Sequence, residues 1–378
     1  MCKNSKKPYQ QCDRCVMDTD APGIIFSDNG FCNYCSEFLE RSKNILGNNL
    51  ITKEKKLEQL VDKIKANGKG KPYDCIVGVS GGLDSSWVLV ETKKLGLRPL
   101  AVHMDNGWNS ELAQNNISNL LKSLNIDLYT HVVDWDEYRE LMQAFFNADV
   151  IDIELLYDNA LAAVNYALAT KYNLKYILAG TNNSTEGMKI PKEWVWFKYD
   201  KRNIKSIAKL NGIKSFKTFP TIGTFKFIWY HFIKGIYWTS LLDYLEYNKF
   251  RALDQLEKNY GYKRYPYKHY ESVFTRFYQG YILPKKFKVD KRKIHLSNLI
   301  VSKQISRREA IEDLKSKSYI SELECEVDTK YFLKKMKWSN DQLKIYLSRP
   351  EILHSHYPNE KYLWDNLLAL YKFFINKK

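Results

Sequence analysis

The loop Ser80-Gly81-Gly82-Leu83-Asp84-Ser85-Ser86 constrains this 378-residue chain more than any other feature. The run before it, Asp74-Cys75-Ile76-Val77-Gly78-Val79, has no alternation of apolar and polar residues, the pattern of a strand buried on both faces. Residues 84–95 read as a helix closed by Gly96, and Pro99-Leu100-Ala101-Val102-His103-Met104 reads as a second buried strand ending at Asp105. The alternation continues with a helix over 110–124, a strand over 128–133, a helix over 155–172, and a strand over 176–179 before Gly180-Thr181-Asn182. A lead-in helix over 52–66 precedes them all. Strands alternating with helices predict an α/β fold with a doubly wound parallel sheet, in which ligands sit outside the carboxyl ends of the strands. Ser80, Asp105 and Gly180 all fall at such ends.

Each residue type in the loop suits a phosphate. Paired glycines let backbone N–H groups approach phosphate oxygens, and the start of the following helix adds its positive end. Ser80, Ser85 and Ser86 offer hydroxyl donors. Asp84 would repel phosphate unless a divalent cation bridged the two, which assigns it to Mg²⁺. Two glycines alone would mean only a strand-to-helix turn; the strand, the helix and three hydroxyls favour the phosphate reading. The loop is neither Gly-x-x-x-x-Gly-Lys-Ser/Thr nor Gly-x-Gly-x-x-Gly.

Cys12-x2-Cys15 and Cys32-x2-Cys35 stand sixteen residues apart, the spacing of two knuckles that deliver four thiolates to a structural Zn²⁺. With no apolar run after Met1, a cytoplasmic location is expected. The excess of 59 Lys+Arg over 43 Asp+Glu, +16 in all, suits anionic ligands, although most of it reads as solvated surface. The aromatic segment 225–245 is interrupted by Lys226, His231, Lys234 and Asp243, so it is no membrane span and is expected as a buried or interfacial helix pair. Three parts follow: a four-cysteine unit over 1–45, an α/β domain over 46–214, and a mostly α-helical domain over 215–378 that would bind substrate or partner.

The loop resembles the SGGxDS signature of the N-type ATP pyrophosphatases, the PP-loop family with the adenine nucleotide alpha hydrolase-like fold. The resemblance implies ATP held by Ser80, Gly81, Gly82, Asp84, Ser85, Ser86, Asp105, Gly180 and Thr181, with AMP passed to a substrate oxygen as pyrophosphate leaves. Gly180-Thr181 and Glu186 are similar to the Gly-Thr and metal-binding Glu of ammonia-dependent NAD synthetases, so Asp84 and Glu186 would share Mg²⁺; a surface carboxylate is the plainer reading of Glu186.

A wider resemblance covers Cys12-Asp13-Arg14-Cys15-Val16-Met17-Asp18-Thr19, Gly30-Phe31-Cys32-Asn33-Tyr34-Cys35, and His269-Tyr270-Glu271-Ser272-Val273-Phe274-Thr275-Arg276 onward to His295-Leu296-Ser297. These look like the N-acetyl sugar amidotransferases of bacterial surface-polysaccharide and O-antigen (lipopolysaccharide) pathways, with Tyr270 where a second histidine would stand. The family implies conversion of an acetamido group on a nucleotide-linked N-acetyl sugar to acetamidino. Its ammonia would come from partner glutaminase and cyclase-like subunits akin to imidazole-glycerol-phosphate synthase, with no nucleic acid and no transmembrane segment. Asp84, Ser85, His269 and Glu271 are then the catalytic candidates, and Arg276, Lys286, Lys291 and Arg292 the substrate-binding ones. A buried polar network and surface lysines are the equal alternatives for these C-terminal residues. The rivals are a tRNA-modifying PP-loop thiolase or lysidine-type enzyme and an inactive scaffold.

Overall fold

The computed structural model describes residues 8–46, 50–266, 268–316, 318–319 and 321–375; residues 1–7, the start of the unit expected over 1–45, lie outside them. The cysteine unit runs into α1 (Asn33–Leu46), and α2 (Leu50–Gly68) leads to the sheet. Its strands and helices alternate: β1 (Cys75–Gly78), α3 (Leu83–Lys94), β2 (Pro99–Asp105), α4 (Glu111–Leu124), β3 (Leu128–Val132), α5 (Trp135–Asn147), α6 (Leu155–Lys171) and β4 (Tyr176–Ala179). Then come the short α7 (Asn183–Glu186), α8 (Lys201–Leu210), α9 (Thr224–Ile228) and β5 (Tyr237–Ser240). The remainder is helical: α10 (Lys249–Tyr260), α11 (Val273–Phe277), a π-helical stretch Tyr278–Phe287, α12 (Arg292–Val301), α13 (Arg307–Lys315), α14 (Glu322–Met336), α15 (Asn340–Ser348) and α16 (Lys361–Ile375).

The sheet has the order β3-β2-β1-β4-β5 and every pairing is parallel. Ile76 of β1 faces Leu100 on one side and Ile177 on the other. Successive strand residues point to opposite faces, and the two cores follow that rule. Ile76, Leu100, Val102 and Ile177 join the apolar cluster on one face; Cys75, Val77, Ala101 and Leu178 join the cluster on the other. Both faces are therefore covered, as the unbroken apolar runs demand. Strand order reverses between β1 and β4, which opens a crevice at the carboxyl end of the sheet.

The helical C-terminal part packs on the sheet domain. Trp108, fully buried just beyond β2, lies 5.4 Å from the ring of Phe274 in α11 and 6.2 Å from Phe332 in α14. Burying one such ring contributes about 2–3 kcal/mol. These contacts fix where the chain around residue 270 meets the sheet.

Two elements differ from expectation. The segment 225–245 is not a helix pair: α9 and a π-helical turn Trp229–Ile233 end at Gly235, which has φ +61°, and the chain then forms β5. The N–H of Tyr237 meets the Lys175 carbonyl at 2.8 Å, so the open edge of β4 captures this stretch as a strand. The sheet thus continues past residue 214, where the helical part was expected to begin. Helix α5 was not anticipated. Its N-terminus is capped by Asp134, and the Glu137 carboxylate takes the N–H groups of Lys217, Thr218 and Phe219.

Candidate active site

The crevice between β1 and β4 opens into a cleft of about 720 Å³. Its floor is the loop after β1. Gly82 occupies the N-cap of α3 without a capping side chain, which leaves first-turn N–H groups for an anion. Ser80 Oγ accepts from Gly82 N at 3.2 Å and lies 3.3 Å from Ser85 Oγ, so the hydroxyls are held at the turn. Gly81 has φ +81°, and a Cβ there would sit 2.8 Å from the Ala113 carbonyl. Gly81→Ala is expected to cost about 2 kcal/mol or more through left-handed strain and backbone collision, read by urea unfolding.

The loop after β4 closes against this turn. A Cβ on Gly180 would lie 2.8 Å from Ser85 N, so only glycine permits the approach. Gly180 and Thr181 both line the cleft. Asn182 caps α7 by accepting from Thr185 N, and α7 carries Glu186 to the same rim.

Asp84 points inward. Its carboxylate accepts from Thr185 Oγ1 at 3.2 Å and from the Tyr247 hydroxyl. Burial raises the Asp84 pKa against the pull of Lys268, and the negative charge of Glu186 pushes it the same way. Lys268 Nζ meets Glu186 Oε1 at 2.6 Å. Burial disfavours the Lys268 charge, but Glu186 and Asp84 more than offset this and hold its pKa above the ordinary lysine value. Two carboxylates beside a phosphate cradle suit a hard cation with oxygen ligands, and such an ion would relieve their mutual repulsion.

The helical part supplies the opposite wall. A Cβ on Gly82 would lie 3.2 Å from Glu271 Oε1, so this carboxylate rests against the glycine turn. The Glu271 carbonyl accepts from Ser110 N at 2.9 Å, and Asn109 bridges Ser272, which fixes the segment to the chain after β2. His269 adopts a left-handed φ of +69° and places Nδ1 3.7 Å from Glu271 Oε1. Burial raises the Glu271 pKa, but His269, a backbone hydrogen bond and the charge of Lys268 together outweigh that and leave it below the usual glutamate range.

The other sequence candidates divide. Arg276, Lys291 and Arg292 line the cleft, yet each already has a carboxylate: Arg276 is bidentate to Asp328 at 2.6 Å, Lys291 meets Glu154 at 2.7 Å, and Arg292 meets Asp290 at 2.8 Å. Lys286 is outside the cleft. Its buried Nζ is held by Asp149 and by the carbonyls of Tyr346 and Arg349, a tie between the π-helical stretch and the end of α15. Asp105 borders a separate hollow with His103, and its carboxylate accepts from Gly107 N and Asn109 Nδ2. Ser86 is enclosed within the first turn of α3.

Sequence reasoning missed Lys268, Tyr247, Lys249 and a role for His295. His295 lines the cleft with a buried Nε2 that has no hydrogen-bond partner, 5.3 Å ring to ring from His269. Burial, with Lys268 and His269 beside it, drives its pKa well down, so the ring is neutral. Its place at the end of the family block, His295-Leu296-Ser297, was the signal that could have flagged it.

Packed against α12 through Ser297 and Lys293 is the cysteine unit, whose Cys12, Cys15, Cys32 and Cys35 are buried with their sulfurs within 4.8 Å of one another. Cys12–Cys35 and Cys15–Cys32 sulfurs lie 3.8 and 3.6 Å apart. A tetrahedron with zinc–sulfur bonds of about 2.3 Å has edges of roughly 3.8 Å, so this set fits Zn²⁺ with no room for substrate.

Residues 52–189 match the NAD synthase family, and residues 271–371 match the family described as "LPS biosynthesis protein WbpG-like, C-terminal domain". The chain joins an NAD synthase-like part to a WbpG-like C-terminal part. The first match carries both phosphate-side loops, and the second begins at Glu271, whose carboxylate faces the glycine turn across the cleft. This WbpG-like chain is accordingly an ATP-dependent enzyme. Among solved structures it is similar to NMN synthetase from Francisella tularensis, at 16% identity over 58% of this chain and 99% of that one, with a TM-score of 0.29. It is also similar to NH3-dependent NAD synthetase from Campylobacter jejuni subsp. jejuni in complex with the nitrate ion, at 16% identity over 57% and 98%, with a TM-score of 0.28. No curated protein matches it. Among the described residues no helix is long and apolar enough to cross a membrane.

Proposed function

We propose that this WbpG-like enzyme converts the acetamido group of a nucleotide-linked N-acetyl sugar to acetamidino, consuming ATP and ammonia. An amide oxygen leaves poorly. In the proposed first step that oxygen attacks the α-phosphorus of ATP, and pyrophosphate departs into the amides of the Ser80–Ser85 turn, leaving an O-adenylyl imidate. Ammonia then adds to the activated carbon, AMP carries the oxygen away, and the carbon keeps a nitrogen in its place. Glu271, steadied by His269, is the group proposed to take the proton that ammonia gives up.

Asp84 and Glu186 would hold magnesium, which when bound would offset the charge on the phosphates. Gly180 and Thr181 would complete the nucleotide wall, and partner subunits would supply the ammonia. The observation that carries this reading is that Glu271, first residue of the LPS-biosynthesis match, lines the same cleft as Gly82 of the phosphate turn, its carboxylate 3.2 Å from where a Cβ on Gly82 would stand. Sulfur transfer, as in the tRNA thiolases, lacks support. Among the described residues lining the cleft none is cysteine, and Cys75 is sealed in β1, where burial pushes its thiol far up.

The test is mass spectrometry of nucleotide-linked N-acetyl sugars incubated with the enzyme, ATP, Mg²⁺ and an ammonium salt. Exchange of oxygen for NH should lower the sugar's mass by about one unit, with one AMP formed per product. AMP release that needs tRNA and leaves the sugars unchanged would overturn the proposal.

A further inference from the structure

Between Asp200 and Asp243 the sequence has no Asp or Glu but eight Lys and Arg, among them Lys201, Lys205, Lys226 and Lys234. The same stretch holds a cluster of exposed aromatic and aliphatic side chains. Phe225, Trp229, Phe232 and Ile233 are spaced i, i+4, i+7, i+8 along α9 and its π-helical continuation, so they share one face. That face points outward: Phe225 is 70% exposed and Ile233 73%. The opposite face carries Tyr230, which is buried against Tyr166 with rings 5.0 Å apart. The helix is thus anchored from beneath.

Helix α16 extends the patch. Phe232 and Tyr371 have ring centroids 5.4 Å apart, and Trp364 packs on Phe197 and Phe227. Its segment Leu363-Trp364-Asp365-Asn366-Leu367-Leu368-Ala369-Leu370-Tyr371 is largely apolar, yet no residue of α16 up to 373 is buried, and Leu370 is 54% exposed. In water such a face costs free energy in proportion to its apolar area.

Lysines rim it. Lys234 lies over the Trp229 ring at 4.9 Å, and Lys175 Nζ donates to the Lys234 carbonyl. On the other side Lys201 has its pKa lowered by burial and by the nearby charges of Lys205 and Lys226. The carboxylate facing this group is Glu360, whose oxygens are taken by the N–H groups of Arg202 and Thr224. Lys361 and Asp365 pair with each other farther along α16.

We propose that this face docks on the surface of an anionic lipid bilayer, with Phe225, Trp229, Phe232, Ile233 and Leu370 entering the headgroup boundary and the lysines meeting lipid phosphates. A ring of lysines around tryptophan, tyrosine and aliphatic side chains is the composition of an interfacial membrane contact. A second copy of the chain fits poorly, because a two-fold contact would set Lys226 and Lys234 against their own copies with no free carboxylate between them. Nucleic acid fits less well, since Phe225, Trp229 and Phe232 offer rings to bases but the exposed aliphatic Ile233 and Leu370 among them would gain nothing from a strand. The proposal is independent of the chemistry assigned to the cleft.

The experiment is flotation of the full chain with phosphatidylcholine vesicles and with vesicles containing phosphatidylglycerol. Binding to the anionic vesicles, weakened by salt, is expected, with little to the neutral ones. Two double variants, Phe232→Ser with Ile233→Ser and Lys226→Glu with Lys234→Glu, should each weaken it by about tenfold or more. Their melting temperatures should stay unchanged, because these side chains are at the surface. No binding to anionic vesicles, or binding that both variants leave intact, overturns the proposal. So does a result in which the variants instead split an oligomer, release a protein partner or abolish RNA binding while vesicles are ignored.

Discussion

Asp84→Asn is expected to lower ATP-dependent AMP formation by about 10²–10³-fold, the loss seen when one electrostatic element of a transition-state site is removed. Asparagine keeps the shape: its Oδ1 can accept from one of the hydroxyls of Tyr247 and Thr185 while its Nδ2 donates to the other, so the turn should hold its geometry. What it removes is the charge. In the folded chain burial raises the Asp84 pKa, with Glu186 adding to the rise and Lys268 opposing it. A carboxyl whose pKa rises on folding costs stability when it ionises, a cost present once the pH exceeds its folded pKa and absent below the unfolded value near 4. The neutral variant escapes that cost, so its melting temperature near neutral pH should match or exceed that of the parent. Activity lost with stability retained is the signature of a functional carboxylate. Discontinuous assay of AMP beside a thermal melt checks both, and a variant that melts early while turning over normally would make Asp84 a structural residue.

The strand-turn-helix at Ser80, the cysteine pairs and four of the five strands were legible because each rests on local pattern. An apolar run buried on both faces reads the same wherever it sits, and β4 begins and ends where its composition says. The fifth strand was hidden because Tyr237-Trp238-Thr239-Ser240 carries no alternation of its own; it is a strand because β4 offers an unpaired edge. The same holds for the site. Glu271 could be picked from its family block, but nothing local says that it faces Gly82 across the cleft, and Lys268 acquires meaning only where Glu186 and Asp84 meet it. Lys286 is the converse: a basic residue in a promising block whose ammonium is absorbed by Asp149 and two carbonyls. Charge type is visible in a sequence, whereas the partner that neutralises the charge is a property of the tertiary fold.

Removal of the zinc proposed for the four cysteines should have the largest effect of all, on stability and activity together. The cysteine unit has too few residues for a core of its own, and in small zinc units the metal supplies folding free energy on the order of 10 kcal/mol. Here that unit also braces the cleft. Arg307 at the start of α13 donates to the carbonyls of Cys12 and Cys15, Ser297 of α12 accepts from Val16 N at 3.1 Å, and Lys293 of α12 pairs with Asp18 and Asp20. Lys291, Arg292 and His295 reach the cleft from α12 and the residue just before it. Chelation is therefore expected to free all four thiols to a thiol reagent, and Cys15→Ser the remaining three; each should lower the melting temperature by about ten degrees, roughly the shift of 8 kcal/mol in a chain of this size. The rate should fall with it, because α12 loses its outer support while the phosphate turn, built on the far side from β1 and α3, stays formed. Nucleotide binding by calorimetry should consequently survive better than turnover. Equal loss of both would mean that the whole chain unfolds with the knuckle, and a metal-free protein that melts and turns over as before would leave the four cysteines without a structural role.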